Sequence, residues 1–280
     1  RGAQIVAFDQ EHEAIIRRTK QLDAGLRSSS IEREMSVMYQ PMIDVTTGQV
    51  IAFEALARWT SPVLGNVSPA DFIPAAERNG FIGPLTLILF RKALAAAMDW
   101  PASVHLSFNL SANNITSEDF VGKVIEEVSR SEVDATRIEF EITETALIRD
   151  HDQVQAAIAR FKELGILISL DDFGTGYSSL THLHQFPLDK IKIDRSFVSG
   201  IDGCNPAGYG IVKSMLNLSK EMQIGCVIEG IETAGELAIV RKLGGELVQG
   251  YYYSKPLMEK DALQYLAEAP NGSRAELSYA

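Results

Sequence analysis

The chain has 280 residues, which is enough for one large domain or two small ones with a substantial apolar core. Apolar residues make up 46% and charged residues 22%, so a disordered or collagen-like chain is excluded. Asp and Glu outnumber Lys and Arg by 37 to 26, and the net charge of −11 argues against binding to a nucleic-acid polymer.

No segment predicts a membrane span or a secretion signal. The longest apolar run, residues 81–90, contains a Gly-Pro pair and is far shorter than the roughly 20 residues that a bilayer requires. The chain begins at Arg1 without a signal segment, and its two cysteines, Cys204 and Cys226, match neither a disulfide framework nor a zinc site. We therefore expect a cytoplasmic fragment of a longer protein, without membrane contact.

The two ends differ from the middle of the chain. Residues 9–27 predict a charged helix with a thin apolar stripe, which is typical of a connector. We accordingly assign residues 1–30 to a linker helix and the tail of an upstream domain. Residues 31–268 form the main domain, and residues 269–280 form a loose tail.

Short apolar or β-branched runs alternate with helical patterns through the main domain. This order predicts an α/β fold with mainly parallel strands. The predicted strands are residues 37–40, 50–57, 104–109, 138–143, 167–171, 190–193, 224–228 and 247–249. Eight such strands indicate a closed barrel.

Several helices carry sequence signals at their ends. Residues 150–164 show the helical apolar period and are followed by Gly165, which favours a left-handed stop. Three pairs of residues predict helix starts: Ser68 with Pro69, Thr116 with Asp119, and Thr233 with Glu236.

Chemistry in an α/β barrel lies at the carboxyl ends of the strands, because the following loops form the rim there. Polar residues end nearly every predicted strand: Glu54 and Arg58, Asn109, Glu141, Asp171 and Asp172, Lys192, Glu229, and Gln249. In a closed barrel the five carboxylates would meet and repel one another unless cations neutralise them. Oxygen ligands without Cys or His suit Mg²⁺ or Mn²⁺.

The adjacent acids Asp171 and Asp172 can bridge two metal ions, an arrangement that serves phosphoryl chemistry. Lys192 beside such a cluster could assist the attacking water or the developing charge on phosphate. A single strand-end carboxylate is more often a cap or a surface group, so the prediction depends on the whole set. The residue pattern alone leaves the identity of the phosphate ester open.

These residues resemble the motifs of EAL domains, phosphodiesterases of the bacterial second messenger cyclic di-GMP. Glu54-Ala55-Leu56 followed by Arg58-Trp59 is similar to the family signature. The further matches are Tyr39-Gln40-Pro41, Asn109-Leu110-Ser111, Glu141-Ile142-Thr143-Glu144, residues 171–180, Lys192-Ile193-Asp194, Glu229-Gly230-Ile231-Glu232 and Gln249-Gly250-Tyr251. The resemblance covers about residues 35–257.

The resemblance implies a TIM-like (β/α)8 barrel whose first strand is antiparallel to the others. It implies two Mg²⁺ or Mn²⁺ ions held by Glu54, Asn109, Glu141, Asp171, Asp172 and Glu229. Lys192 and Gln249 would act with Glu54 and Glu229 in catalysis, by orienting the water and its metal. Gln40, Leu56, Arg58 and Glu232 would contact substrate, and Glu144 would anchor the loop of residues 172–179.

The implied reaction is hydrolysis of one phosphodiester bond of cyclic di-GMP to linear pGpG. The resemblance further implies a homodimer and an upstream GGDEF-like regulatory domain, since residues 5–18 are similar to the tail of one. The alternative is a degenerate EAL domain that senses cyclic di-GMP without cleaving it. Ile228 and Ile231 depart from the usual Ala and Val of the family, and we expect local repacking there.

Overall fold

The computed structural model describes residues 2–175, 185–203 and 205–268. The predicted tail at 269–280, Cys204 and most of the loop after Asp172 lie outside the described residues. In the described part the strands are β1 Met35–Asp44, β2 Val50–Ser61, β3 Gly65–Val67, β4 His105–Leu110, β5 Ile138–Thr143, β6 Leu167–Phe173, β7 Lys190–Ile193, β8 Gly225–Ile228 and β9 Leu247–Gln249.

Eight of these strands close into a barrel. Their order is β1-β9-β8-β7-β6-β5-β4-β2, and β1 pairs with β2 to close the ring. The strand β1 is antiparallel to both of its neighbours, whereas the pairs from β2 through β4 to β9 are parallel. The predicted TIM-like barrel with an antiparallel first strand is therefore confirmed. The short β3 lies outside the ring, paired with β2.

The helices of the described residues are α1 Gly2–Leu26, α2 Ile31–Glu34, α3 Pro69–Arg78, α4 Ile82–Ala97, α5 Ala112–Ile115, α6 Glu118–Arg130, α7 Glu144–Arg149, α8 His151–Glu163, α9 Arg195–Val198, α10 Pro206–Met222, α11 Ala234–Leu243 and α12 Glu259–Glu268. A short 3-10 helix spans Ala135–Arg137. None of the helices described is long and apolar enough to cross a membrane.

Two of the three predicted helix starts are confirmed. The Ser68 side chain caps α3, and Thr233 forms a reciprocal capping box with Glu236 at the start of α11. The third prediction was wrong by one residue, because Ser117 caps α6 while the Thr116 hydroxyl donates back to the Ala112 carbonyl.

Side-chain alternation along the strands separates two environments. Outward residues such as Phe140 and Ile142 join a large apolar core against the helices. The inward residues Met42, Ala52 and Val227 are fully buried and form a small separate apolar cluster inside the barrel. Each stands two residues from a polar site residue, on its own strand or, for Val227, just past the end of it, so this cluster lies beneath the site.

The helix α1 is tied to the barrel by its last turns. Leu22 and Leu26 are buried, and Gly25 lies so close to Trp59 that an added Cβ would be 2.8 Å from the indole ring. The indole Nε1 of Trp59 donates to Glu34 Oε2 at 2.9 Å. The end of β2, which carries Arg58 beside Trp59, is therefore packed directly against α1.

Candidate active site

A β-bulge places the two adjacent acids at the end of β6. Leu170 pairs with Ile191 and Phe173 pairs with Ile193, so Asp171 and Asp172 together face the single residue between them on β7. Asp172 has a φ of 55°, in the left-handed region that few residues other than glycine adopt. This conformation breaks the regular alternation, and Asp172 is exposed while Asp171 is partly buried.

Lys192, the residue opposite the bulge, is surrounded by carboxylates. Its Nζ lies 2.7 Å from Glu141 Oε2 and 2.6 Å from Glu229 Oε1. Asp171 Oδ1 is 3.4 Å away and Glu54 Oε2 is 3.5 Å away. The Lys192 side chain is only 1% exposed, so one ammonium group lies at the centre of a buried acidic cluster.

The carboxylate of Glu54 is held by the amide side chains of Gln249 and Asn109. Gln249 Nε2 donates to Glu54 Oε2 at 2.6 Å, and Asn109 Nδ2 donates to Glu54 Oε1 at 2.8 Å. Gln249 Nε2 also lies 3.3 Å from Gln40 Oε1, and Gln40 pairs directly with Glu54 across β1 and β2. Side chains from three other strands, β1, β4 and β9, therefore surround the carboxylate of Glu54 on β2.

Ser107 was not among the predicted site residues, yet its hydroxyl donates to Glu141 Oε1 at 2.5 Å. Ser107 stands two residues before Asn109 on β4, so both side chains point to the same face of the strand. That spacing is the signal that could have identified it. Both oxygens of Glu141 are thus occupied, one by Ser107 and one by Lys192.

Burial and charge shift the pKa values in the cluster. Burial, followed by the charge of Glu54, raises the pKa of Glu141 well above its usual range. Burial likewise raises the pKa of Glu229 to about 8, although Lys192 opposes the shift. Burial opposes ionisation of Glu54, but Lys192 and the amide donors outweigh it and lower that pKa. The pKa of Lys192 is raised well above its usual range, because the acids outweigh its burial.

Asp172 belongs to the same electrostatic group. Although the residue is exposed, desolvation of its carboxyl beside the cluster raises the pKa of Asp172, and the charges of Asp171 and Asp194 add to this effect. The cluster as a whole therefore holds more acid than Lys192 can neutralise, and part of that acid retains its protons at neutral pH.

The donor chemistry of the cluster fits a divalent cation. Asp171 Oδ1 and Gln249 Oε1 are buried oxygens that accept no hydrogen bond. Every predicted cation ligand in the cluster offers an oxygen atom, which is the ligand type that Mg²⁺ and Mn²⁺ prefer. In their present arrangement around Lys192, no three Asp, Glu, His or Cys side chains within the described ranges are poised to hold a metal ion. The oxygen ligands that a divalent cation requires are therefore present, but their carboxylates are arranged around the Lys192 ammonium.

A cavity of 190 Å³ opens beside this cluster. The predicted site residues on its wall are Gln40, Glu54, Asp171, Glu229, Glu232 and Gln249. Asp194, Arg195 and Tyr251 line it as well, although we had not predicted a role for them. Tyr251 is 48% exposed and Lys255 Nζ lies 5.9 Å from its ring centre, so the cavity has an accessible aromatic surface.

Two predicted substrate contacts lie farther along β2. Leu56 and Arg58 are partly buried and share one face of the strand with Glu54. Arg58 Nη1 donates to the Ala57 carbonyl at 2.8 Å. Burial lowers the pKa of Arg58, whereas Tyr251 and Glu54 favour its charge. Neither residue forms part of the cavity wall.

The predicted loop anchor, Glu144, is buried at the start of α7. Its Oε1 accepts a hydrogen bond of 2.9 Å from the backbone N–H of Gly174, just after the bulge. Gly174 has a φ of 94°, and a Cβ there would lie 2.2 Å from Met215 Cε. Glu144 thus fixes the first residues of the loop, whose remainder lies outside the described residues.

The EAL domain family matches residues 23–256 of the chain. The chain belongs to this family. It is 34% identical over 238 residues to a cyclic di-GMP phosphodiesterase of Pseudomonas aeruginosa, covering 84% of this chain and 40% of that protein. It is 36% identical over 279 residues to an uncharacterised protein of Sinorhizobium fredii, covering 100% of this chain and 33% of that protein. The EAL chain thus spans about two fifths or less of these relatives.

Solved structures of EAL proteins share the fold. The PaMucR phosphodiesterase in its c-di-GMP complex superposes with a TM-score of 0.81 at 30% identity, covering 86% of this chain and 99% of that one. The EAL enzyme Bd1971, bound to cAMP and cyclic di-GMP, gives a TM-score of 0.83 at 29% identity, covering 94% of this chain and 72% of that one.

Proposed function

We propose that this EAL domain hydrolyses one phosphodiester bond of cyclic di-GMP and releases linear pGpG. The observation that carries the proposal is the convergence of four acids on Lys192, beside a cavity, within an EAL barrel. Its relatives include a named cyclic di-GMP phosphodiesterase, and PaMucR was solved with the dinucleotide bound.

Cation binding falls to the oxygen ligands at the strand ends. The residues that would hold two Mg²⁺ or Mn²⁺ ions are Glu54, Asn109, Glu141, Asp171, Asp172 and Glu229. Bound there, such ions supply the positive charge that stabilises a phosphoryl transition state and makes water acidic enough to attack at neutral pH. The two buried oxygens that accept no hydrogen bond, on Asp171 and Gln249, support this assignment.

Lys192 holds the acids in place and can donate to the attacking water or to a phosphate oxygen. Its ammonium is pre-oriented by Glu141 and Glu229, so little reorganisation is needed as charge develops. Gln249 orients Glu54 through their 2.6 Å hydrogen bond. Attack by water needs no covalent intermediate, and the departing oxygen of the opened phosphodiester takes a proton from solvent.

Substrate contacts extend from the cavity along β2. Arg58 has the fork of donors that suits a phosphate, and Gln40 and Glu232 lie on the cavity wall. Leu56 would pack against the nucleotide. Glu144 would keep the loop after Asp172 positioned over the site, through its bond to Gly174.

The wider protein is part of the proposal. Helix α1 leads into the barrel and packs on Trp59, which suits a linker from an upstream GGDEF-like regulatory domain. We further propose that the domain acts as a homodimer. Analytical ultracentrifugation of the longer protein, with and without substrate, would test the dimer.

The decisive experiment incubates the domain with cyclic di-GMP and either Mg²⁺ or Mn²⁺, then separates the nucleotides by chromatography. We expect cation-dependent formation of pGpG, and none when a chelator replaces the cation. Tight binding of cyclic di-GMP without formation of pGpG would overturn the proposed phosphodiesterase activity and indicate a cyclic di-GMP sensor instead. Cleavage of unrelated phosphate esters at equal rates would overturn the substrate assignment.

A further inference from the structure

A second ion pair lies inside the barrel, one step below the site. Lys190 Nζ contacts Glu139 Oε2, and the Glu139 side chain is fully buried. Both residues precede a site residue by two positions, Lys190 on β7 before Lys192 and Glu139 on β5 before Glu141. Because side chains alternate along a strand, all four point into the barrel.

The strand register brings Lys190 level with Glu141. Ser169 on β6 pairs with Glu141 of β5 on one side and with Lys190 of β7 on the other. Two strand spacings, about 10 Å, separate their backbones, which a lysine and a glutamate side chain can span together. Yet Lys190 pairs with Glu139, one inward position lower, just as Lys192 pairs with Glu141.

We propose that Glu139 is a positioning residue, which binds Lys190 and so keeps a second ammonium group away from the cation ligand Glu141. Without Glu139, the nearest remaining inward carboxylate on β5 is Glu141. A second ammonium there would add positive charge at the point where a cation must bind. This inference rests on the proposed function, because it concerns the same cation site.

The surroundings of the pair support this role. Burial, and next the charge of Lys190, lower the pKa of His105, so its imidazole adds no further positive charge beside the pair at pH 7. Ser169 Oγ is buried without a hydrogen-bond partner, so it does not hold Lys190 either. A Cβ on Gly225 would lie 2.6 Å from Lys190 Cγ, so the lysine stem is packed tightly against β8.

The test measures Mn²⁺ binding directly by titration calorimetry, without nucleotide. We expect Glu139→Gln to weaken Mn²⁺ binding about tenfold, the lower end of the range for groups that support metal ligands. The double variant Glu139→Gln with Lys190→Met should return to within about twofold of the parent, because the competing ammonium is gone. Unchanged affinity in Glu139→Gln, or an equal loss in the double variant, would overturn the proposal.

Further variants separate this role from a purely structural one. Lys162→Met breaks an ion pair with Asp189 outside the barrel, at 2.7 Å, and should leave Mn²⁺ affinity unchanged. A crystal structure of Glu139→Gln should show Lys190 Nζ beside Glu141, and an unmoved Lys190 would contradict the inference. If Glu139→Gln does not fold, the single variant Lys190→Met tests the proposal instead. A tenfold loss of Mn²⁺ affinity in Lys190→Met would refute the idea that Lys190 competes with the cation for Glu141.

Failure of this inference differs from failure of the proposed function. A parent chain that binds no Mn²⁺ contradicts the proposed cation site itself. A parent chain that binds Mn²⁺ as tightly as Glu139→Gln contradicts only the role of Glu139.

Discussion

The acidic cluster predicts that the cation-free protein loses stability as the pH rises. Burial raises the pKa of Glu229 to about 8 from its ordinary value of 4.5. A carboxyl whose pKa is higher in the folded state binds its proton more tightly there than in the unfolded chain. Its stabilising contribution is therefore complete below the unfolded value and is lost as the pH rises through about 8.

The size of this loss of stability follows from the difference between the folded and unfolded pKa values of Glu229. The rise in the Glu229 pKa from 4.5 to about 8 sets an upper bound of about 5 kcal/mol on the loss of unfolding free energy, because one pKa unit corresponds to roughly 1.4 kcal/mol. The Glu229 side chain is 18% exposed, and it shares Lys192 with three other carboxylates. We therefore expect a loss of about 2 to 3 kcal/mol from this one group.

Urea unfolding of the parent and Glu229→Gln, in chelator at about pH 5 and about pH 9, measures this contribution. The free energy of unfolding of the parent should fall more steeply than that of the variant, because glutamine does not ionise. Added Mn²⁺ should remove most of the fall in the parent, since the cation replaces the lost protons. Identical pH dependence in both proteins would refute the reasoning.

Three further predictions concern turnover, substrate binding and the linker helix. Glu54→Ala should abolish pGpG formation while circular dichroism shows an intact fold, and normal turnover would contradict its assignment as a cation ligand. Arg58→Lys keeps the charge but loses the fork, so the KM for cyclic di-GMP should rise about tenfold with little change in kcat; an unchanged KM would remove Arg58 from the substrate site. Gly25→Ala should lower the unfolding free energy by about 1 to 3 kcal/mol, because its Cβ would lie 2.8 Å from the Trp59 ring, and a higher Tm would show that the helix adapts freely.

The barrel was predictable because its strands are short apolar runs separated by clear helix signals. The strand β1 was predicted to end at Gln40, before Pro41. In the structure β1 continues through Pro41, which faces Phe53 of β2, while pairing with β9 begins only at Met42. The ladder on the β9 side therefore needs no donor from Pro41. The three-residue β3 has no periodicity that a sequence pattern could reveal.

The strand-end rule predicted that acids and amides such as Glu54, Glu141 and Gln249 would lie near Lys192, as they do, but it predicted neither Ser107 nor the arrangement of these side chains. The bulge that lets Asp171 and Asp172 share one partner depends on a left-handed φ at Asp172, a conformation that the residue type does not predict. The central place of Lys192 depends on the register of β7 against β6 and β8, which no local pattern contains.

The local charge explains how an acidic domain could accept a ligand with two phosphates. Four carboxylates, on Glu54, Glu141, Asp171 and Glu229, surround one ammonium group, and the neighbouring Asp172 brings the acids of the cluster to five. The excess of four negative charges is the charge that two divalent cations would neutralise. In their absence protons take part of that role, because burial, with the charges of the neighbouring acids adding to it, raises the pKa values of Glu141 and Glu229. Cation binding must therefore release protons, and it should tighten as the pH rises. The net charge of −11 opposes a polyanion over the whole surface, whereas the loaded site would attract a single dinucleotide.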